Sequence, residues 1–157
     1  MAHSIENGPF KLCCDDLRPG NVIVDRKDRV VGALDWEFCY PAPVEFTYAP
    51  PWWLLIEKPE YWPEGLEVWT NVFECRLKTF LRELIKREDA AIGRGEMSEA
   101  QRLSGPMKDS RESGDFWIMY AASHCFAFDG IYWQKIVRGS LDRRTTPRTP
   151  GSKDMSC

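Results

Sequence analysis

Asp16, Asn21 and Asp35 are the residues of this chain whose types and spacing could do chemistry. Asp16 and Asn21 share the segment Cys14-Asp15-Asp16-Leu17-Arg18-Pro19-Gly20-Asn21, and Asp35 lies in Leu34-Asp35-Trp36-Glu37. Phosphoryl transfer needs a carboxylate that orients an attacking hydroxyl and accepts its proton, together with separate oxygen ligands for Mg²⁺ bridging nucleotide phosphates. Asp16 suits the first task, and Asn21 and Asp35 suit the second. Asp-rich turns beside valine strands are common, so an isolated D-x-x-x-x-N carries little weight. The combination with Asp35 is far more specific.

These three residues need elements that bring them together. Val22-Ile23-Val24 and Val30-Val31-Gly32-Ala33 flank the polar turn Asp25-Arg26-Lys27-Asp28-Arg29, a pattern that predicts a β-hairpin. A short hairpin returns the chain near its starting point, so Asp35 is expected to face Asn21 across a gap that a metal ion fills. Pro19 fixes φ and Gly20 accepts values other residues avoid, which bends the loop carrying Asn21.

Cys14 to Asn21 and Leu34 to Glu37 resemble the catalytic and metal-binding loops of the aminoglycoside phosphotransferase family, whose loops read roughly H-G-D-x-x-P-x-N and I-D-W/F-E. Asn-Val-Ile-Val-Asp and Gly-Ala-Leu-Asp-Trp-Glu also fit. The resemblance covers residues 9 to about 136 and is strongest over 12–37. It implies Asp16 as catalytic base, Asn21 and Asp35 as Mg²⁺ ligands, ATP as phosphoryl donor and a small-molecule hydroxyl as acceptor. Cys14 stands where the family has histidine and Asp15 where it has glycine. The implied fold is α+β, a protein-kinase-like C-terminal lobe in which a catalytic-loop hairpin is followed mostly by helices.

Fifteen residues precede Asp16. They are too few for the β-rich N-terminal lobe that roofs the nucleotide in kinase-like enzymes, and no Gly-rich phosphate loop or strand lysine follows. The expectation is therefore a truncated C-lobe over residues 9–136 that is incomplete or inactive as an isolated chain. A second reading is a non-catalytic, pseudokinase-like module that binds a protein partner.

Composition narrows the class. At 43% hydrophobic residues, a chain of 157 can bury a substantial core, and its net charge of −3 gives no case for nucleic acid. No apolar run long enough for a membrane span and no basic-then-apolar leader is present, so a cytoplasmic protein with no membrane partner is expected. The six cysteines form no C-x-x-C pair and complete no zinc spacing with His3 or His124. They are expected to be buried free thiols.

Pro50-Pro51-Trp52-Trp53-Leu54-Leu55 reads first as core, with Trp52 and Trp53 as candidates for stacking on a substrate, and Glu37 as a further candidate on the substrate side. Leu66, Trp69, Val72, Phe73, Leu77, Phe80, Leu81, Leu84 and Ile85 recur at three and four, predicting a long helix from Glu64 to about Arg94, ended by Gly93 and Gly95. The polar stretch from Met97 to Gly114 predicts a solvated helix. Asp115 to Ile136 predicts a core helix or helix pair, with His124 as a hydrogen-bonded core residue. From 138 to 157, Pro, Gly, Ser, Thr and basic residues predict a disordered tail.

Overall fold

The computed structural model describes residues 9–124 and 127–137. Four strands open the chain. β1 (Phe10–Cys14) pairs antiparallel with β4 (Cys39–Pro43), from Phe10 opposite Pro43 to Cys14 opposite Cys39. Between them β2 (Val22–Val24) and β3 (Val30–Ala33) form the hairpin expected from the sequence, with a bulge between Ile23 and Val24. One two-stranded ribbon is thus nested inside another.

Nesting is the feature that positions the site. The chain leaves the outer ribbon at Cys14, reaches the inner one at Val22, leaves it at Ala33 and rejoins the outer one at Cys39. The two loops carrying Asp16, Asn21 and Asp35 therefore lie side by side between the ribbons. Pro41 and Pro43 argue against a strand by propensity, and they are tolerated here because β4 has a single neighbour.

The inner hairpin closes through an Asx-type turn. The Asp25 carboxylate accepts the amides of Lys27 at 2.8 Å and Arg29 at 3.1 Å and pairs with the Arg29 guanidinium, which holds its carboxyl below the usual range. Asp28 sits at φ 57°, a left-handed position that Asp tolerates better than most residues.

Two-stranded ribbons are marginal alone, so the remainder of the chain supports them. After β4 come one-turn 3₁₀ helices at Val44–Tyr48, Trp52–Leu54 and Pro59–Tyr61, each preceded or begun by a proline whose fixed φ suits the turn. The long helix α1 (Leu66–Gly93) matches the expectation to within two residues, and Gly95, at φ 73°, supplies the left-handed residue beyond its end.

The polar stretch folds as a 3₁₀ turn at Glu99–Gln101 and helix α2 (Ser104–Ser113), which is not wholly solvated: Ser104, Met107 and Ser110 are buried. Gly114 at φ 86° makes the corner into α3 (Asp115–Ser123), followed by α4 (Phe128–Ile131) and a π-type turn at Tyr132–Val137. The final run is therefore a broken pair rather than one helix. The tail from 138 lies outside the described residues.

The core is aromatic. Trp69, Phe73 and Leu77 recur every four residues along α1 and are buried against Phe116, Trp117 and Tyr120 of α3, with Trp52, Leu55 and Ile131 closing the cluster. Trp69 stacks on Phe73 at 4.5 Å between ring centres, and Phe73 on Phe116 at 5.3 Å. Offset stacks of this kind add to the stabilisation from area alone. Among the described residues no helix is long and apolar enough to cross a membrane.

The cysteines depart from expectation. Cys13, Cys14 and Cys39 are free but only partly buried, whereas Cys75 is disulfide-bonded. A thiol count and spacing carry no information on which chain segments pack together, so the pairing was not visible in the sequence.

Candidate active site

Asn21 is the hub of the two loops. It ends a 3₁₀ turn begun by Pro19 and is buried, 6% exposed, in a loop whose other residues are open to solvent or only partly covered. Its side-chain amide donates at 2.8 Å both to Oδ2 and to the backbone carbonyl of Asp16. Its own carbonyl accepts the Leu34 amide at 2.8 Å, which fastens the Asp16 loop to the loop carrying Asp35. With both amide donors engaged, the carboxamide Oδ1 is the atom left for an outside partner.

Asp16 is held on both oxygens, since Oδ1 pairs with Arg18 Nε at 3.0 Å. Asp35 is at φ 58°, ψ 47°, in the left-handed region, and starts the one-turn helix Trp36–Phe38. Asp tolerates that conformation better than most residues, here as at Asp28. The Trp36 indole closes this loop on the Ala33 carbonyl at 2.9 Å, and the Asp15 amide reaches the Phe38 carbonyl at 3.3 Å. The Asp35 carboxylate is exposed and has no protein partner among the described residues.

A cavity of about 410 Å³ opens beside Asp16, bordered also by Asp15, Trp52, Lys58, Glu60 and His124. A narrower one of about 140 Å³ adjoins it and adds Cys13, Cys14 and Trp53 to the lining. Trp52 borders both, is buried, and among the described residues its indole N–H has no hydrogen-bond partner. Lys58 Nζ lies 5.2 Å from the centre of the Trp52 ring. A buried donor without an acceptor is costly.

His124 is hydrogen-bonded as expected, its Nδ1 lying 3.1 Å from the Tyr120 carbonyl, but it is only partly buried. It stacks on Tyr120 at 4.2 Å, lies edge-on to Trp52 at 6.0 Å and borders both cavities. The Tyr120 hydroxyl donates to Glu60 at 2.7 Å, and burial, then that carboxylate, pushes its ionisation far above the usual range. Burial likewise raises Cys13 and Tyr40, with Asp15 adding to both, while burial and a hydrogen bond with Cys39 push Cys14 up to about 11.

Of the residues singled out in sequence, Asp16, Asn21 and Asp35 lie in adjoining loops, and Trp52 and Trp53 line the cavities. Glu37 is exposed on the turn after Asp35 and borders neither cavity. Lys58, Glu60 and Tyr120 escaped sequence reasoning because they come from elements distant along the chain. The only signal for Lys58 and Glu60 was nearness to the proline-bounded aromatic stretch, and Tyr120 read only as part of the apolar run from Asp115 to Ile136.

Among the described residues no group of three or more His, Cys, Asp or Glu is placed to hold a metal ion. The donors expected here, one carboxamide oxygen and one carboxylate, are hard oxygens of the kind Mg²⁺ takes while retaining waters and binding substrate phosphates, so their chemistry fits that ion.

Comparison with known proteins gives one match. Residues 2–64 fit the model of the phosphotransferase enzyme family (APH). No curated protein and no solved structure matches the chain. The matched stretch, 63 of the 157 residues, holds Asp16, Asn21, Asp35, Trp52 and Lys58, and over it the chain is similar to the phosphotransferase enzyme family.

Proposed function

We propose that this chain is the acceptor-side, C-terminal lobe of a kinase-like enzyme that moves the γ-phosphoryl group of ATP to the hydroxyl of a small molecule. The observation that carries this reading is the Asn21–Asp16 contact, which fixes a carboxylate at the mouth of a cavity and leaves a carboxamide oxygen beside the Asp35 loop. The acceptor hydroxyl would displace Arg18 from Asp16 Oδ1, and Asp16 would orient it and take its proton. Asn21 Oδ1 and the Asp35 carboxylate would hold Mg²⁺. When bound, that ion bridges nucleotide phosphates and neutralises charge that develops on them.

Trp52 offers the acceptor a flat ring and a free N–H, with Lys58 and Glu60 opposite in charge on the same wall. Nucleotide positioning contributes much of the catalysis in such reactions, so turnover would need a nucleotide-holding part, while the Asn21 and Asp35 oxygens would suffice to take up Mg²⁺ with ATP. Leu12, Val30, Val31, Leu34, Trp36 and Phe38 are exposed on the ribbons and the Asp35 loop, which is apolar surface for such a part to cover. The same surface favours a second reading, a non-catalytic module that docks a protein partner there.

Thermal unfolding with ATP and Mg²⁺ separates the two. A working site raises the Tm of the wild-type chain, and Asp35→Ala abolishes the rise while leaving the ligand-free Tm within a few degrees. No rise in the wild type would remove the enzymatic reading of this polypeptide.

A further inference from the structure

Cys14 and Cys39 are both free and stand directly opposite each other at the last register position of the outer ribbon. The adjacent ladder bond runs from the Asp15 amide to the Phe38 carbonyl at 3.3 Å, one residue beyond each cysteine. In an antiparallel pair that places Cys14 and Cys39 at a non-hydrogen-bonded position, where facing Cα atoms approach to about 4.5 Å and side chains share one face. That separation lies within the span a disulfide accepts. Cys13 faces Tyr40 across the ribbon, and side-chain alternation turns it to the opposite face.

We infer that Cys14 and Cys39 form a reversible thiol–disulfide site, with a low-molecular-weight disulfide of the glutathione type as oxidant. One thiolate attacks the oxidant's sulfur, forming a mixed disulfide and releasing one thiolate. The second cysteine attacks the protein-bound sulfur of that intermediate, forming the Cys14–Cys39 bond and expelling a second thiolate. The protein loses two electrons and two protons, and the oxidant leaves as two thiols. The new bond ties the residue entering the Asp16 loop to the residue leaving the Asp35 loop. Both loops would then be enclosed in one covalent ring, without movement of the strands that flank it.

The site requires nothing of the phosphotransfer reading, and its test reads a covalent bond. The full chain is equilibrated in reduced and oxidised glutathione of varying ratio, quenched with an alkylating reagent and digested after glutamate. That cut places Cys39 in Phe38–Glu45, apart from Cys75 and from the peptide holding Cys13 and Cys14. The expected product is a disulfide-linked pair of these peptides in the wild type and in Cys13→Ser, absent from Cys14→Ser and Cys39→Ser, and accompanied by a Tm several degrees higher than that of the reduced chain. Loss of the pair in Cys13→Ser, or glutathione adducts in place of the internal bond, would overturn it.

Discussion

Asp16 makes a double contact that decides what its replacement does. Its Oδ2 accepts from Asn21 and its Oδ1 pairs with an exposed arginine. Asparagine in its place still offers Asn21 an oxygen, and it relieves the crowding of carboxylates with Asp15. Asp16→Asn should therefore leave stability within about 1 kcal/mol of wild type while lowering phosphoryl transfer by roughly 10²–10⁴-fold, measured as turnover in the assembled enzyme beside a urea titration. Unfolding of the variant would make Asp16 a structural residue. The residues of the two loops were legible because their types and spacing lie within one short stretch. Lys58, Glu60 and His124 were not, because only packing brings them to the same cavity.

At the scale of elements, a carboxylate in α1 holds the start of α2. Glu88 is 4% exposed, and its Oε1 accepts the amides of Leu103 at 2.7 Å and Ser104 at 3.1 Å while Oε2 takes the Ser104 hydroxyl. These amides belong to the first turn of a helix, which has no internal acceptors for them, so Glu88 acts as a cap supplied by a neighbour. Burial by itself would raise its pKa, but the Ser104 hydroxyl, the two amides and Arg102 outweigh burial and lower it. A carboxyl lowered on folding contributes stability above its ordinary pKa, near 4.5, and loses that contribution as pH falls through the folded value. Glu88→Ala should cost about 2–3 kcal/mol at neutral pH, with the gap to wild type narrowing as pH drops below 4.5 in denaturant titrations. Periodicity found α1 and the β2–β3 hairpin, whose patterns are local. It gave no hint of β1–β4, a non-local pairing that includes two prolines, or of a buried glutamate on a helix face that reads as solvated.

Over the whole molecule, the aromatic cluster joins α1, α3, α4 and the proline-bounded turns into one body. Trp69 is fully buried at its centre, stacked on Phe73, and its indole donates to the Glu57 carbonyl at 3.0 Å. Trp69→Ala removes that ring and the bond together. A loss of roughly 3–5 kcal/mol is expected in urea unfolding, a large part of the stability of a domain this size. The tryptophan fluorescence and far-ultraviolet transitions should remain coincident, since the helices share one core.

The nested ribbons also set an order of assembly. β2 and β3 meet across a five-residue turn and need no distant contact, whereas β1 and β4 lie far apart along the chain. Once the inner hairpin has zipped, the span that the outer pair must close is shortened, and the entropy lost on closing it falls with the effective loop length. The juxtaposition of the Asp16 and Asp35 loops is consequently a late product of folding. Lengthening the Asp25–Arg29 turn should slow this assembly while leaving the finished loops where they are, because the added residues sit at the far tip of the inner ribbon.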